Sequence, residues 1–409
     1  MNKKINIINI PLFVFALFAL IPNAIKGLPV ILLFITSFFL FLKKKSFGYP
    51  IKKVLGLASL YIILLLSLIN TTDFEGVEKL LTTSLSLLVI PISMGFLYSV
   101  KNYFSSSFLL SYTKIILGVT TFYSLWILFF LYQLGVFSKK ISMYDAIAYI
   151  TNEMWFINQH PIYASIFIAI PILVTVYFWF LLKQRNFILF TLPLIVINLF
   201  ALFILERKGV LLSFVFGMLV LILSFVKKKF SRKLLTGFIL TILVIISVFM
   251  IPSNRFKELY KFQNYSGDLE FNSTSLRFGI YSCAISKIKE APLFGFGIGD
   301  VQNELENCYE NKSELLLDLT YNSHNQYLSY FLSSGFFGFL LLFIVMLKTI
   351  IDSKKTKNIL LLSIAIFFVI CMLFENILER QSGVILFSFY ICFFSFYNFS
   401  GTKDLKSNE

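Results

Sequence analysis

The chain has 409 residues, of which 58% are hydrophobic and 14% are charged. A water-soluble domain cannot hide that much apolar surface, so the composition excludes a soluble enzyme and points to an integral membrane protein. The formal net charge of +15 does not call for nucleic acid, because most Lys and Arg lie in short segments between apolar runs, the positive-inside pattern.

Taken in chain order, apolar runs of the length a bilayer requires, roughly 20 residues, predict an all-α, polytopic membrane protein with about twelve transmembrane helices. They fall at 8–24, 27–42, 54–70, 77–98, 107–132, 161–182, 187–205, 208–226, 234–251, 325–349, 358–374 and 383–400. Met1-Asn2-Lys3-Lys4 ahead of the first run imitates a signal peptide. Ile21 to Lys26 lacks a clear small-residue cleavage site, so that run is read as a retained span. Lys43-Lys44-Lys45 with Lys52-Lys53, Lys183 with Arg185, Lys227-Lys228-Lys229 with Arg232-Lys233, and Lys354-Lys355 with Lys357 all follow even-numbered spans. Both termini are therefore expected in the cytoplasm.

The resulting organisation is helices one to nine in 1–251, a periplasmic loop in 252–323, helices ten to twelve in 324–400, and a cytoplasmic tail in 401–409. A loop as long as 252–323 between compact elements is more often functional than filler. Inside it, Ser273-Thr274-Ser275 offers helix caps, and Leu276, Ile280, Ala284 and Ile288 recur at helical spacing until Pro292. This predicts an amphipathic helix of about four turns lying against the membrane face. Gly295, Gly297 and Gly299 then make a turn. Cys371 and Cys392 lie in apolar runs and read as small core residues. Cys283 and Cys308 lie in the loop, where an oxidising compartment permits a disulfide without requiring one.

Three residues at span rims or in the loop have the chemistry to act on a lipid-linked diphosphate. Arg207, in Glu206-Arg207-Lys208-Gly209, opens the eighth span. Its planar guanidinium forks onto two oxygens, and a helix N-terminus adds backbone amides for the same anion; an anchoring contact with Glu206 or a headgroup is the plainer alternative. Arg277 lies near the start of the loop helix, where a cation opposes the helix dipole unless something offsets it. A solvated position is its plain reading. His324, in Ser323-His324-Asn325-Gln326-Tyr327, is one of 2 histidines and stands where the loop re-enters the membrane. An imidazole accepts a proton near neutral pH; a backbone-bonded interfacial histidine is the alternative. His160, before Pro161, and Arg380 are candidates to line the same cavity, although His160 reads more simply as a helix cap. No zinc-type ligand spacing, phosphate-binding Gly-x-x-x-x-Gly-Lys-Ser/Thr run or Ser-His-Asp constellation is present. No metal and no cofactor are expected.

In order and spacing these pieces resemble the O-antigen ligase and polymerase superfamily. The resemblance runs from about Leu205 to Phe339. It takes in Glu206-Arg207-Lys208-Gly209, then Arg277 through Ala291-Pro292-Leu293-Phe294-Gly295-Phe296-Gly297-Ile298-Gly299, then His324-Asn325-Gln326-Tyr327-Leu328 with Gly335 and Gly338. His160-Pro161-Ile162-Tyr163 and Glu375-Asn376-Ile377-Leu378-Glu379-Arg380-Gln381 also take part, whereas the first five spans carry no motif. The resemblance implies a bacterial inner-membrane glycosyltransferase. Such an enzyme moves a glycan from undecaprenyl diphosphate to an acceptor hydroxyl on the periplasmic side. Arg207 and Arg277 would hold the diphosphate and His324 would assist the hydroxyl. A ligase would use lipid A core as acceptor, a polymerase the next lipid-linked repeat unit, and a protein O-glycosylation enzyme a protein hydroxyl. From other classes, a lipid-linked oligosaccharide flippase predicts charges near the bilayer midplane. An assembly scaffold predicts that all three residues are dispensable.

Overall fold

A computed structural model describes residues 9–43, 48–100, 106–138, 140–142, 145–147, 149, 159–226, 273–310, 312, 316–317 and 320–397. The fold there is helical: α1 (Asn9–Ala16), α2 (Leu28–Lys43), α3 (Ile51–Leu66), α4 (Val77–Ser84), α5 (Ser86–Ser99), α6 (Ser106–Gln133), α7 (Pro161–Leu182), α8 (Arg185–Ile204), α9 (Lys208–Val226), α10 (Ser273–Glu290), α11 (Val301–Glu310), α12 (Gln326–Lys355), α13 (Ile359–Cys371) and α14 (Gln381–Phe396). Among the described residues, 8 helical segments are long and apolar enough to cross a membrane. They correspond to the runs expected at 27–42, 54–70, 77–98, 107–132, 161–182, 187–205, 208–226 and 325–349.

The remaining four expected runs fare differently. The run at 8–24 is not one continuous helix: α1 ends at Ala16 and short 3-10 turns follow at Phe18–Leu20 and Asn23–Ile25. Pro22, between the turns, has no backbone donor to continue a helix. The run at 234–251, the basic cluster from Lys227 to Lys233, loop residues 252–272 and the tail 401–409 lie outside the described residues. The last two runs form α13 and α14, of 13 and 16 residues.

At 1.5 Å per residue α13 extends only about 20 Å, less than a hydrocarbon core of about 30 Å. Short helices are tolerable at membrane depth when their ends are satisfied inside protein. Both α13 and α14 are buried along most of their length. α13 packs on α9, α12 and α14, and α14 also packs on α5. α7 is apolar on all sides and is the most enclosed of the spanning helices, as expected of a helix that faces protein all round. The early end of α13 therefore turns the chain through Met372–Arg380 within the protein, which sets the depth of the polar residues there.

α12 is broken at Gly335, whose φ of 63° and ψ of −159° are open to glycine. The loop after α10 fills the break. Phe296 and Gly297 donate backbone N–H groups to the carbonyls of Leu332 and Ser333, at 2.8 and 3.0 Å, and Phe336 N–H returns a bond to Pro292 at 2.9 Å. The contact is too close for side chains: a Cβ on Gly335 would stand 2.1 Å from the Leu293 carbonyl oxygen. The loop backbone thus satisfies the polar groups that the kink frees.

α10 covers Ser273–Glu290, matching the expected helix, but its stripe does not lie on the membrane face. Leu276, Ile280, Cys283 and Ala284 are buried against Leu305 and Tyr309 of α11 and Leu332 of α12, in a small core apart from the main one. The reason is that α11 and the kinked α12 offer an apolar surface close by. A Cys283–Cys308 disulfide joins α10 to α11.

Asp300 ties this unit to the end of α3. Its carboxylate accepts from the Thr72 N–H and hydroxyl at 2.7 Å each, and from the Asp73 N–H at 2.9 Å. Burial alone would raise its pKa, but the Thr72 and Asp73 bonds outweigh it and hold it below the usual 3.8. A carboxyl depressed in the folded state stabilises above its unfolded pKa, and that contribution is lost as pH falls through the folded value. Asp300→Ala is expected to cost about 1.5–3 kcal/mol, the scale of hydrogen bonds to a charged group. In thermal melts the gap between wild type and variant should close on acidification below about pH 4. A gap that is constant with pH would show that these bonds do not hold the unit in place.

Candidate functional site

The carboxylate of Glu375, just past the end of α13, is the meeting point of the site. Its Oε1 accepts from Arg277 Nη2 at 2.7 Å, and its Oε2 faces His324 Nδ1 at 3.5 Å. The Glu375 side chain is 11% exposed, against 30% for Arg277 and 26% for His324. Burial would raise the Glu375 pKa, but the His324 hydrogen bond and the Arg277 charge outweigh it and keep the carboxyl below 4.5. Arg277, on the second turn of α10, therefore meets a carboxylate, which offsets its place near the helix start.

His324 occupies a backbone conformation that non-glycine residues seldom adopt, with φ 44°. Neighbours hold it there. Its N–H donates to Asn322 Oδ1 at 3.2 Å, and its carbonyl lies 3.2 Å from the Tyr281 hydroxyl. The Asn325 side chain caps α12 by accepting from the Tyr327 and Leu328 N–H groups. Gln326 fixes the base of the turn: its N–H donates to the Met372 carbonyl at 2.8 Å and its Oε1 accepts from Leu378 N–H at 2.6 Å. Strained residues held by a surrounding network often mark working sites.

A second carboxylate, Glu379, sits beside this turn. It accepts from Asn322 at 2.9 Å, from Asn376 at 2.7 Å and from the Ser329 hydroxyl. Asn376 also donates to Ser323 at 3.0 Å, which links both carboxylate segments to the residues before His324.

Arg207 lies in the turn between α8 and α9 and is half-buried. Glu206 takes a left-handed φ of 51° to make that turn. Gly209 then lets α9 press on the residue before Glu375: a Cβ there would fall 2.7 Å from Phe374 Cβ. His160 is at the first cap position of α7 but makes no side-chain cap bond. It keeps an exposed face; even so, the surrounding protein, followed by the charges of Arg380 and Arg207, pushes its imidazole down to about 4, while Glu375 pulls the other way. His160 is thus a neutral ring at pH 7, within reach of the charges of Arg207, Arg380, Glu375 and His324.

The fold therefore gathers Arg207, Arg277, His324, His160 and Arg380 into one region. Residues 193–343 match the family model described as O-antigen ligase. That stretch of the chain is similar to the O-antigen ligase family. The match contains Arg207, Arg277 and His324. The chain is also similar to an uncharacterized protein of Haemophilus influenzae, 29% identical over 192 residues, 42% of this chain and 48% of that one. The chain thus spans about half the length of the curated relative it matches.

Glu375 lies beyond the stretch that matches the family model and is the member of the cluster that inspection of single motifs misses. Its signal is positional. Glu375-Asn376-Ile377-Leu378-Glu379-Arg380 is a charged run wedged between two apolar runs, and ionisable groups at such places usually face a cavity or a partner. Glu375→Gln keeps the shape but removes the charge. The loss of about 1–2 kcal/mol of local pairing, after allowance for the exposure of Arg277, should raise amide hydrogen exchange in α10 and in 322–326 by about tenfold. Unchanged exchange in both segments would remove Glu375 as their common anchor.

Proposed function

We propose that the protein transfers a glycan from undecaprenyl diphosphate to an acceptor hydroxyl on the periplasmic face, with lipid A core as the acceptor and without a metal. The observation that carries this reading is the Glu375 carboxylate between Arg277 and His324. With the Nδ1–H of His324 donating toward the Glu375 carboxylate, Nε2 is left as the acceptor, the arrangement of a general base oriented by a carboxylate. Glu375 is then a positioning residue, while His324 is the catalytic one.

The step balances without a redox partner. The acceptor hydroxyl gives its proton to His324 Nε2, and its oxygen bonds to the anomeric carbon. The bond from that carbon to the diphosphate oxygen breaks, and the electron pair leaves on the diphosphate. Arg277 spends one of five N–H donors on Glu375 and keeps the others for phosphate. Arg207 supplies a second cation beside the start of α9. Matching charge on the departing diphosphate is the main electrostatic contribution. Attack opposite the leaving group inverts the anomeric configuration. On this reading the protein spans the bacterial inner membrane with both termini cytoplasmic and 252–323 periplasmic, in line with the distribution of Lys and Arg.

The test uses purified protein with lipid-linked donor and acceptor. His324→Ala should lower transfer by about 10²–10⁴-fold, the range of a lost general base, while donor binding persists. Arg277→Ala and Arg207→Ala should lose donor binding, and Arg277→Lys should be impaired because it loses the bidentate fork. Chelator should have no effect on wild-type transfer. Transfer by His324→Ala at the normal rate would refute its role. Movement of lipid-linked sugar across vesicles without a new glycosidic bond would refute the enzyme reading. For topology, Gly267→Cys should be labelled from outside the inner membrane and Lys228→Cys should not; the reverse pattern would move the site to the cytoplasm.

A further inference from the structure

The turn that carries His324 also borders a cavity, through Asn322 and Ser323. This cavity, of about 120 Å³, opens between the α3–α4 end, the Gly-rich loop, the start of α12 and the Glu379 turn. Its polar wall includes Ser84, Gln302, Asn322, Ser329 and Glu379, and Leu64, Leu80 and Ile298 supply apolar surface. Among the described residues no Lys, Arg or His lines it. Ser323, next to His324, does.

This lining selects its ligand by charge. A carboxylate without a cation repels phosphate, so the diphosphate held at the arginines is excluded. Glu379 accepts three bonds, from Asn322, Asn376 and Ser329, out of about four that a carboxylate can take. It has room for one hydroxyl donor. Ser84 is 4% exposed and makes no hydrogen bond to a described residue, so its hydroxyl is also available. Hydroxyls, amides and one carboxylate opposite aliphatic side chains match a sugar ring, with polar edges and C–H faces.

We propose that this cavity binds an uncharged pyranose unit of the acceptor and presents its hydroxyl to His324. The proposal rests on the glycan-transfer reading above. It assigns acceptor rather than donor because the donor's first sugar is bonded to the diphosphate at the arginines, whereas the cavity wall runs directly into the residues before the base. It also gives α4, outside the stretch that matches the family model, a part in choosing the acceptor.

Ser84→Leu fills the cavity from the α4 side and breaks no hydrogen bond to a described residue. Gln302→Met fills it from the opposite wall, should Ser84→Leu not accumulate. The first measurement needs no reaction: saturation-transfer NMR on the detergent-solubilised protein with methyl galactoside, methyl N-acetylglucosaminide and methyl glucuronide. Transfer to the two neutral sugars, lost in the filled variant and weak for the glucuronide, is the expected result. The second is kinetic. Filling the cavity should raise the acceptor KM by about tenfold and leave the donor KM and the kcat within about twofold. No contact with any pyranoside, equal contact with the glucuronide, or a rise in donor KM alone would each overturn the proposal. A wild type that contacts neutral sugars but forms no glycosidic bond would sink the function reading and leave the sugar site standing. Normal kinetics in both filled variants of an active enzyme would sink the cavity alone.

Discussion

One carboxylate organises the end of this protein at which Arg277 and His324 lie. Removing a charge from water costs several kcal/mol unless partners replace the lost solvation, and Glu375 is enclosed just past the end of α13. It is tolerable only because Arg277 and His324 come to it. The carboxylate and its two partners sit on three different stretches of chain: the α13 end, α10 and the segment just before α12. The requirement of one buried anion thus fixes the relative position of the cation and the imidazole. The early stop of α13 is the condition for it, since a helix of full spanning length would carry the next residues out to the membrane surface. Residues 372–380 then hold two carboxylates and an amide at a depth where each hydrogen bond is strong.

The same economy of polar groups governs the His324 turn. Positive φ at a bulky residue is unfavourable, and here every adjoining polar group has a use: Asn322 takes the N–H, Asn325 caps the helix and Gln326 ties the turn to both sides of the α13–α14 link. The amides supply directional bonds without charge. The imidazole is therefore set by a frame that does not depend on its own protonation.

Most spans were legible because length and apolarity are local properties. The helices at 161–182 and 208–226 sit where hydropathy alone puts them. Partnership is not local, and there the reading was incomplete. The stripe Leu276, Ile280, Ala284 announced a buried face, but periodicity does not say whether lipid or protein covers it, and α11 with α12 does. The segment 8–24 looked long enough, yet the chain breaks into 3-10 turns around Pro22. Arg207, Arg277 and His324 stood out through their motifs. Glu375 did not, because its meaning lies in a bond to a residue 98 positions away. Whether Cys283 and Cys308 pair was similarly open in sequence, since an oxidising compartment permits a disulfide without requiring it, and the packing of α10 on α11 brings the two together.

The break in α12 has a mechanical consequence. The loop does not merely rest on the helix; its main chain completes the helix, with Phe296, Gly297 and Pro292 supplying what Gly335 withholds. Loops joined to a scaffold by side chains alone tolerate added residues at modest entropic cost. Here one inserted residue between Pro292 and Gly297 would put the two backbones out of register, and no side-chain repacking restores it. The segment is therefore a poor place for an epitope tag, a reporter fusion or a natural length variant, although it looks from the outside like an ordinary connecting loop.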